Sequence, residues 1–255
     1  PEEPMLDHSH YLRPPGGDVQ LVGCPELAQW HVVRLAAAKV TDLKTWATPP
    51  PEESDSDVPF ITADDAISAF FWKKLTMVRN QRSNTPEDRS RFSRAMDGRK
   101  LLGISAEYMG DLVHNVAAWL SFRELVELPL YAIASHLRRE LNHANTAYHV
   151  RSFATFIAQQ PDKSTITYAG AFNPDTDVGM SSLSRADVMH HKFGVLGRPD
   201  FVRRPNFSEN VLPSLLYIFP MRREGDLEML IGLTDADMEA LRHDPEWTHV
   251  VEYIG

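Results

Sequence analysis

The stretch from Phe60 to Arg99, FITADDAISAFFWKKLTMVRNQRSNTPEDRSRFSRAMDGR, constrains the fold more than any other part of the chain. Thr62 can accept a hydrogen bond from an amide one turn in, and Asp65 can reach back to it, a capping box with Asp in place of the usual Glu. Asp64 and Asp65 place negative charge at the positive end of the helix macrodipole, whereas Lys73, Lys74 and Arg79 place positive charge toward its far end. Ile67, Phe70, Phe71, Leu75 and Val78 recur at three- and four-residue intervals between these ends. The spacing predicts a helix over 63–80, buried on that stripe. After the polar run Asn80 to Ser90, Phe92, Arg94, Met96 and Gly98 alternate with Ser93, Ala95, Asp97 and Arg99, which predicts a strand with one charged edge.

The rest of the chain alternates strands with long helices, the pattern of an α/β layered domain. Residues 1–27 are rich in proline and glycine and read as an extended connector, with the domain proper over 28–255. Trp30 to Leu35 reads as a strand and Ala36 to Ala47 as a helix with Val40, Leu43 and Ala47 inward, ended by Pro49, Pro50, Pro51 and an acidic run. A strand is expected over Leu112 to Leu120, with Val113, Val116 and Trp119 among its apolar members. A helical region is expected over Phe122 to Gln160. His136, His143 and His149 within it are spaced too widely to converge on one metal ion and read as surface residues. The last third predicts strands at 165–169, 178–183, 215–220 and 227–233, then a helix capped by Thr234.

Composition narrows the function. With 26 basic and 35 acidic residues the net charge is −9, which supports neither a nucleic-acid partner nor an anionic membrane surface. No stretch approaches the roughly 20 apolar residues that cross a bilayer. The single cysteine, Cys24, cannot form an intrachain disulfide and suits a reducing compartment, so a cytoplasmic location is expected. The acidic start lacks an initiator Met and an apolar signal core, and reads as a fragment or processed start. No phosphate-cradling glycine loop, zinc spacing or Ser-His-Asp signature is present, and no metal is expected.

Several ordered motifs point to one family. ITADDAISAFFWKKL, then RAMDGRKLLGISAEYMGDLV, then GMSSLSRADVMHHKFGVLGRPDFVRRP resemble the C-terminal half of the acyl-CoA-dependent acyltransferases of the BAHD superfamily, in the fungal branch that includes trichothecene O-acetyltransferases. The carriers are Thr62, Asp64, Asp65, Ala66, Ile67, Ala69 and Trp72 on the helix, then Asp97 and Arg99, then Tyr108, Gly110 and Asp111, where Asn is usual. The likeness runs from about Ala28 to Trp247. It implies a chloramphenicol acetyltransferase-like fold, a mixed β-sheet with flanking helices, and a coenzyme A thioester as co-substrate.

What the resemblance implies for the site is more specific. The family's base is the His of an H-x-x-x-D motif in its N-terminal half, and none of the eleven histidines here has Asp four residues later. The base is therefore expected on an N-terminal half of the same enzyme, a partner absent from this chain, with a small-molecule acceptor between the halves. Ser181 and Ser182 match residues that line the family's tunnel, or are ordinary strand serines. Leu183 stands where the family has a Trp that helps stabilise the oxyanion, and an aliphatic side chain cannot donate that bond. Ser68, Arg94 and Arg99 are the candidates for coenzyme A phosphates, with an Asp97–Arg99 structural bridge as the other reading of Arg99. Lys192 replaces the Asp of the family's D-F-G motif, so that site is either exposed or compensated by another carboxylate such as Asp187. His190 and His191 offer a substitute base, and on a strand only one of the two can face the tunnel.

The sequence thus leaves three readings open. The chain is the C-terminal domain of an acyltransferase of secondary metabolism, inactive alone. Alternatively it is a non-transferase descendant that binds or cyclises a polyketide- or terpenoid-like substrate in the same tunnel, or a stand-alone binding domain.

Overall fold

The computed structural model describes residues 5–13, 28–83, 87–167, 172–205 and 211–255. Its frame is one seven-stranded mixed sheet. The strands are β1 (Ala28–Leu35), β2 (Arg89–Asp97), β3 (Val113–Ser121), β4 (Val178–Ser182), β5 (Leu215–Ile218), β6 (Leu227–Thr234) and β7 (Glu252–Tyr253), arranged β3-β2-β4-β5-β6-β1-β7. Only β2/β4 and β4/β5 are parallel pairs, so β4 lies at the heart of the sheet. The helices are α1 (Ala37–Trp46), α2 (Ala63–Ser83), α3 (Phe122–Glu127), α4 (Leu130–Ala144), α5 (Ala147–Gln159), α6 (Asp235–Arg242) and α7 (Pro245–Val250).

Helix α2 is the buried axis of the helical layer and touches α1, α3, α4 and α6. Its stripe residues Ile67, Phe70, Phe71, Leu75 and Val78 are all buried, as is Trp72, whose indole N–H donates to Ser90 Oγ at 2.6 Å. Removing each such side chain from water stabilises the fold by about 1.5–3 kcal/mol. The Thr62 cap forms as the sequence predicts: Asp65 N–H donates to Thr62 Oγ1 at 3.3 Å, and Thr62 N–H to Asp65 Oδ2 at 2.9 Å. Asp65 does more than cap. It is fully buried and also accepts from Arg94 Nη1 on β2 at 2.7 Å and from Arg138 Nε on α4 at 2.9 Å. Burial alone would raise its pKa, but the two guanidinium charges win and hold it below the ordinary carboxylate value. A second buried pair, Arg79 with Asp237 at 2.8 Å, fastens α2 to α6.

Several boundaries differ from expectation, each for a local reason. The helical region 122–160 is three helices, because Pro129 sits at the cap of α4 and Thr146 caps α5 by accepting from His149 N–H. On β3 the even-numbered residues His114, Val116, Ala118 and Leu120 face the helices, leaving Val113 and Trp119 exposed. Trp119 instead lies beneath the guanidinium groups of Arg89 and Arg91, 5.8 and 5.4 Å from its ring centre. Lys163–Thr165 is a 3-10 turn, and Ile166 makes one bridge with Leu12, in place of the strand expected over 165–169, whose end lies outside the described residues along with Cys24. The chain also ends in α7 and β7, which periodicity did not reveal; Asp244 caps α7 and Pro245 starts it.

The N-terminal segment expected to be a connector is partly built into the domain. His8 and Tyr11 are buried against α5 and β3, with Tyr11 Oη donating to the Asn115 carbonyl and His8 Nε2 lying 3.1 Å from Ser152 Oγ. Of the three histidines read as surface residues only His143 is exposed. His136 and His149 are half-buried, and the His149 ring packs 4.9 Å from His114 and 5.2 Å from His8. Among the described residues no group of three or more His, Cys, Asp or Glu side chains is placed to hold a metal ion. No described helix is long and apolar enough to cross a membrane.

Candidate functional site

The candidate site lies at the C-terminal end of β4. The β2 ladder stops at Met180, so Ser181 and Ser182 pair only with Tyr217 and Ile218 of β5. Alternation then separates the two serines. Val178 and Met180 are buried toward the helices, and Ser182 shares their face while Ser181 shares that of Gly179. Both serines are half-buried, neither sealed in the core nor free on the surface.

Ser182 is held by a chain of hydroxyl contacts. Its Oγ donates to Ser184 Oγ at 3.0 Å, and Ser184 Oγ donates to the Asp64 carboxylate at 2.9 Å. In the sequence Asp64 has a charge at the helix start and a place in the family's helix motif, but no partner, and Ser184 is not singled out. The period-two spacing from Ser182 was the one signal that could have found Ser184. Asp64 sits in the first turn of α2, so the residues that fix the helix end also orient the strand end. Leu183 is half-exposed, and its backbone N–H donates to the Ile218 carbonyl at 2.8 Å, so that amide is engaged.

The three phosphate candidates separate by burial. Ser68 is fully buried and donates back to the Asp64 carbonyl at 2.5 Å, while Arg94 is buried in its pairing with Asp65. Both are committed to internal partners, which departs from the expectation that they meet a phosphate: the helix periodicity that makes 68 a core position and the alternation that turns 94 inward settle their environment first. Arg99 is on the surface, with Nε 2.9 Å and Nη2 2.7 Å from the two Asp97 oxygens. Its Nη1 reaches the Tyr108 carbonyl at 3.1 Å. This is the Asp97–Arg99 bridge, in an open position.

The D-F-G departure resolves as exposure. Lys192 is solvent-exposed, and Asp187 turns instead to the histidines, 2.7 Å from His190 Nδ1 and 3.8 Å from His191 Nδ1. His190 belongs to a 3-10 turn (Asp187–His190) rather than a strand, so the pair does not point to opposite faces as the strand argument required. Following Ser182, the segment also carries Phe193, Val195, Leu196 and Phe201, all exposed.

Comparisons with known proteins agree with the fold. The model of the Transferase family matches residues 26–248. The chain is 66% identical, over all of its length and 55% of the relative's, to the O-acetyltransferase epaC of Aspergillus niger. It is 34% identical, over 99% of its length and 53% of the relative's, to the trichothecene 3-O-acetyltransferase TRI101 of Fusarium sporotrichioides. Its fold superposes with a TM-score of 0.88 and 32% identity on F. graminearum TRI101 in complex with coenzyme A and deoxynivalenol, covering 100% of this chain and 56% of that one. The chain therefore spans about half the length of the relatives it matches. The order of motifs, the mixed sheet and these matches together place the chain in the Transferase family of BAHD acyltransferases, as a C-terminal half.

Proposed function

We propose that this chain supplies one wall of a thioester channel in an acyl-CoA-dependent O-acyltransferase, which moves an acyl group from coenzyme A to a hydroxyl of a secondary metabolite. The observation that carries this reading is the end-to-end superposition on half of an enzyme crystallised with coenzyme A and deoxynivalenol. In the reaction a base takes the acceptor's proton as its oxygen attacks the thioester carbonyl, and the tetrahedral oxyanion needs a hydrogen-bond donor before the thiolate leaves. The base belongs to the H-x-x-x-D motif of an N-terminal half. On this half Ser181 is the hydroxyl left for the oxyanion, because Leu183 has no donor in its side chain and the one Ser182 proton is donated to Ser184 Oγ. Arg99, its side chain 34% exposed, is the one of the three basic and hydroxyl candidates not sealed in the core, which supports it as the partner of a coenzyme A phosphate. The exposed apolar run Phe193 to Phe201 is the kind of surface an adjoining half covers.

The test is reconstitution. The chain is co-expressed with a BAHD N-terminal half bearing H-x-x-x-D, and thiol release from acetyl-CoA is followed with a phenol or alcohol acceptor. Turnover that needs both halves and disappears when the His is replaced by Ala is the expected result. A folded pair that neither binds coenzyme A nor releases thiol would remove the reading and favour a descendant that only binds its substrate.

A further inference from the structure

The face of the sheet that carries Ser181 also carries an aromatic pair topped by a guanidinium. Ser181 pairs with Tyr217 of β5, and paired residues share a face with their backbones about 4.8 Å apart. Tyr217 pairs in turn with Leu230 of β6, and two positions along that strand Gly232 stands opposite both Leu215 and Trp30 of β1. Gly232 has no side chain, and a Cβ there would stand 3.1 Å from Trp30 Cζ3 and 2.9 Å from the Leu212 carbonyl oxygen. That gap lets the Trp30 ring lie across β6 and meet the Tyr217 ring, their centres 5.7 Å apart. Both residues are half-buried.

Arg204 rests on this pair. Its guanidinium carbon is 4.4 Å from the centre of the Tyr217 ring and 5.5 Å from that of Trp30. The cations beside it are neutralised: Arg203 pairs with the buried carboxylate of Glu228, and Arg222 Nη1 reaches the same carboxylate at 3.0 Å. Arg204 is exposed, and among the described residues it has neither a carboxylate partner nor a hydrogen-bond acceptor. A guanidinium held against aromatic rings keeps N–H donors at its edge, a fork that matches the two oxygens of a carboxylate.

We propose that Arg204 is a specificity residue for the acyl acceptor, selecting a hydroxylated molecule that also bears a carboxylate, with Trp30 and Tyr217 as its platform. The inference rests on the acyl-transfer reading, in which Ser181 faces the oxyanion. The phosphates of coenzyme A are separated from the thioester by the whole pantetheine arm, whereas Arg204 is one strand pairing and one ring contact away from Ser181. A carboxylate on the acceptor fits that short reach, and a coenzyme A phosphate does not.

The probes are 4-(hydroxymethyl)benzoate and its methyl ester, offered with acetyl-CoA to the reconstituted pair of halves. The acid is expected to exceed the ester at least tenfold in kcat/KM. Arg204→Met should erase that ratio by lowering the acid alone, with the ester and the KM for acetyl-CoA within twofold, and Arg204→Lys should keep part of it. Equal use of acid and ester by the unaltered pair would overturn the proposal. So would an Arg204→Met loss shared by both acceptors, or one confined to the KM for acetyl-CoA. Where neither acceptor releases thiol, calorimetry on the folded pair decides, because it needs no turnover. Acid bound at least fivefold more tightly than ester, with the difference lost in Arg204→Met, upholds the site and counts against the acyl-transfer reading alone. Equal affinities there, or no saturable binding of the acid, would overturn the proposal.

Discussion

Ser184 Oγ donates to the Asp64 carboxylate at 2.9 Å, and this one bond ties the end of the central strand β4 to the first turn of α2. Because Ser182 in turn donates to Ser184, the direction of its hydroxyl is set from a helix start. Asp64 and Ser184 therefore hold the Ser182 proton inside the protein, which leaves Ser181 as the donor in the proposed enzyme. Ser181→Ala should lower kcat of the reconstituted enzyme about tenfold with KM for acetyl-CoA nearly unchanged, the pattern of a lost transition-state contact. A loss confined to thermal stability, with kcat intact, would remove Ser181 from the oxyanion site.

Asp65 is the second hub of the same helix turn, and its removal tests the fold rather than the chemistry. Asp65→Asn leaves the guanidinium groups of Arg94 and Arg138 buried without a counter-charge. Breaking a buried pair from one side costs about 3–5 kcal/mol, so urea denaturation should show a loss of that order. The sign with pH follows from the lowered carboxylate pKa: the contribution is fully present above the unfolded value of 3.8 and is lost as pH falls below it through the folded value.

How much of this was legible in the sequence depends on how local the determining interactions are. The α2 cap, its stripe and the strand after it were readable, because Thr62, Asp65 and the apolar spacing act within one or two turns. The motif order likewise put Ser181 and Ser182 at the end of a strand, which is where β4 ends. Arg94 and Ser68 were read as phosphate ligands, because nothing local announces that Asp65, 29 positions before Arg94, takes its charge inside the protein. Similarly, Ser184 gains its meaning only from Asp64, 120 positions away. The histidine cluster was invisible for the same reason: His8, His114 and His149 come from three separate segments that meet only after folding.

That cluster makes a distinct prediction about acid. His8 and His114 are buried, and desolvation, with help from the neighbouring imidazoles, lowers their pKa values from 6.5 to about 4 and about 3. The unfolded chain then binds more protons than the folded one below 6.5, so stability is full above that value and declines as pH falls toward the folded values. Between pH 7 and pH 5 each group should cost about 2 kcal/mol. Chemical denaturation across that range should show the decline, and His114→Phe should remove about half of the share that these two groups supply. A stability that is constant from pH 7 to pH 5 would refute the assignment of neutral buried imidazoles.

Arg99 offers the sharpest separation between a phosphate contact and a structural bridge, because its partner can be removed independently. The Asp97–Arg99 pair is exposed, and pairs of that kind contribute little to stability. If Arg99 serves only the bridge, Asp97→Ala and Arg99→Ala should behave alike. If it meets a coenzyme A phosphate, the two diverge. Arg99→Ala should raise KM for acetyl-CoA about tenfold in the reconstituted enzyme while kcat stays within twofold, since binding at a remote phosphate is uniform between ground and transition states. Asp97→Ala releases the guanidinium from its competing carboxylate and should leave KM unchanged or lower it. The Arg99→Ala effect should also shrink as salt rises, because an open charge contact is screened over about 8 Å at physiological ionic strength. Parallel KM values for the two variants would remove Arg99 from the coenzyme A site.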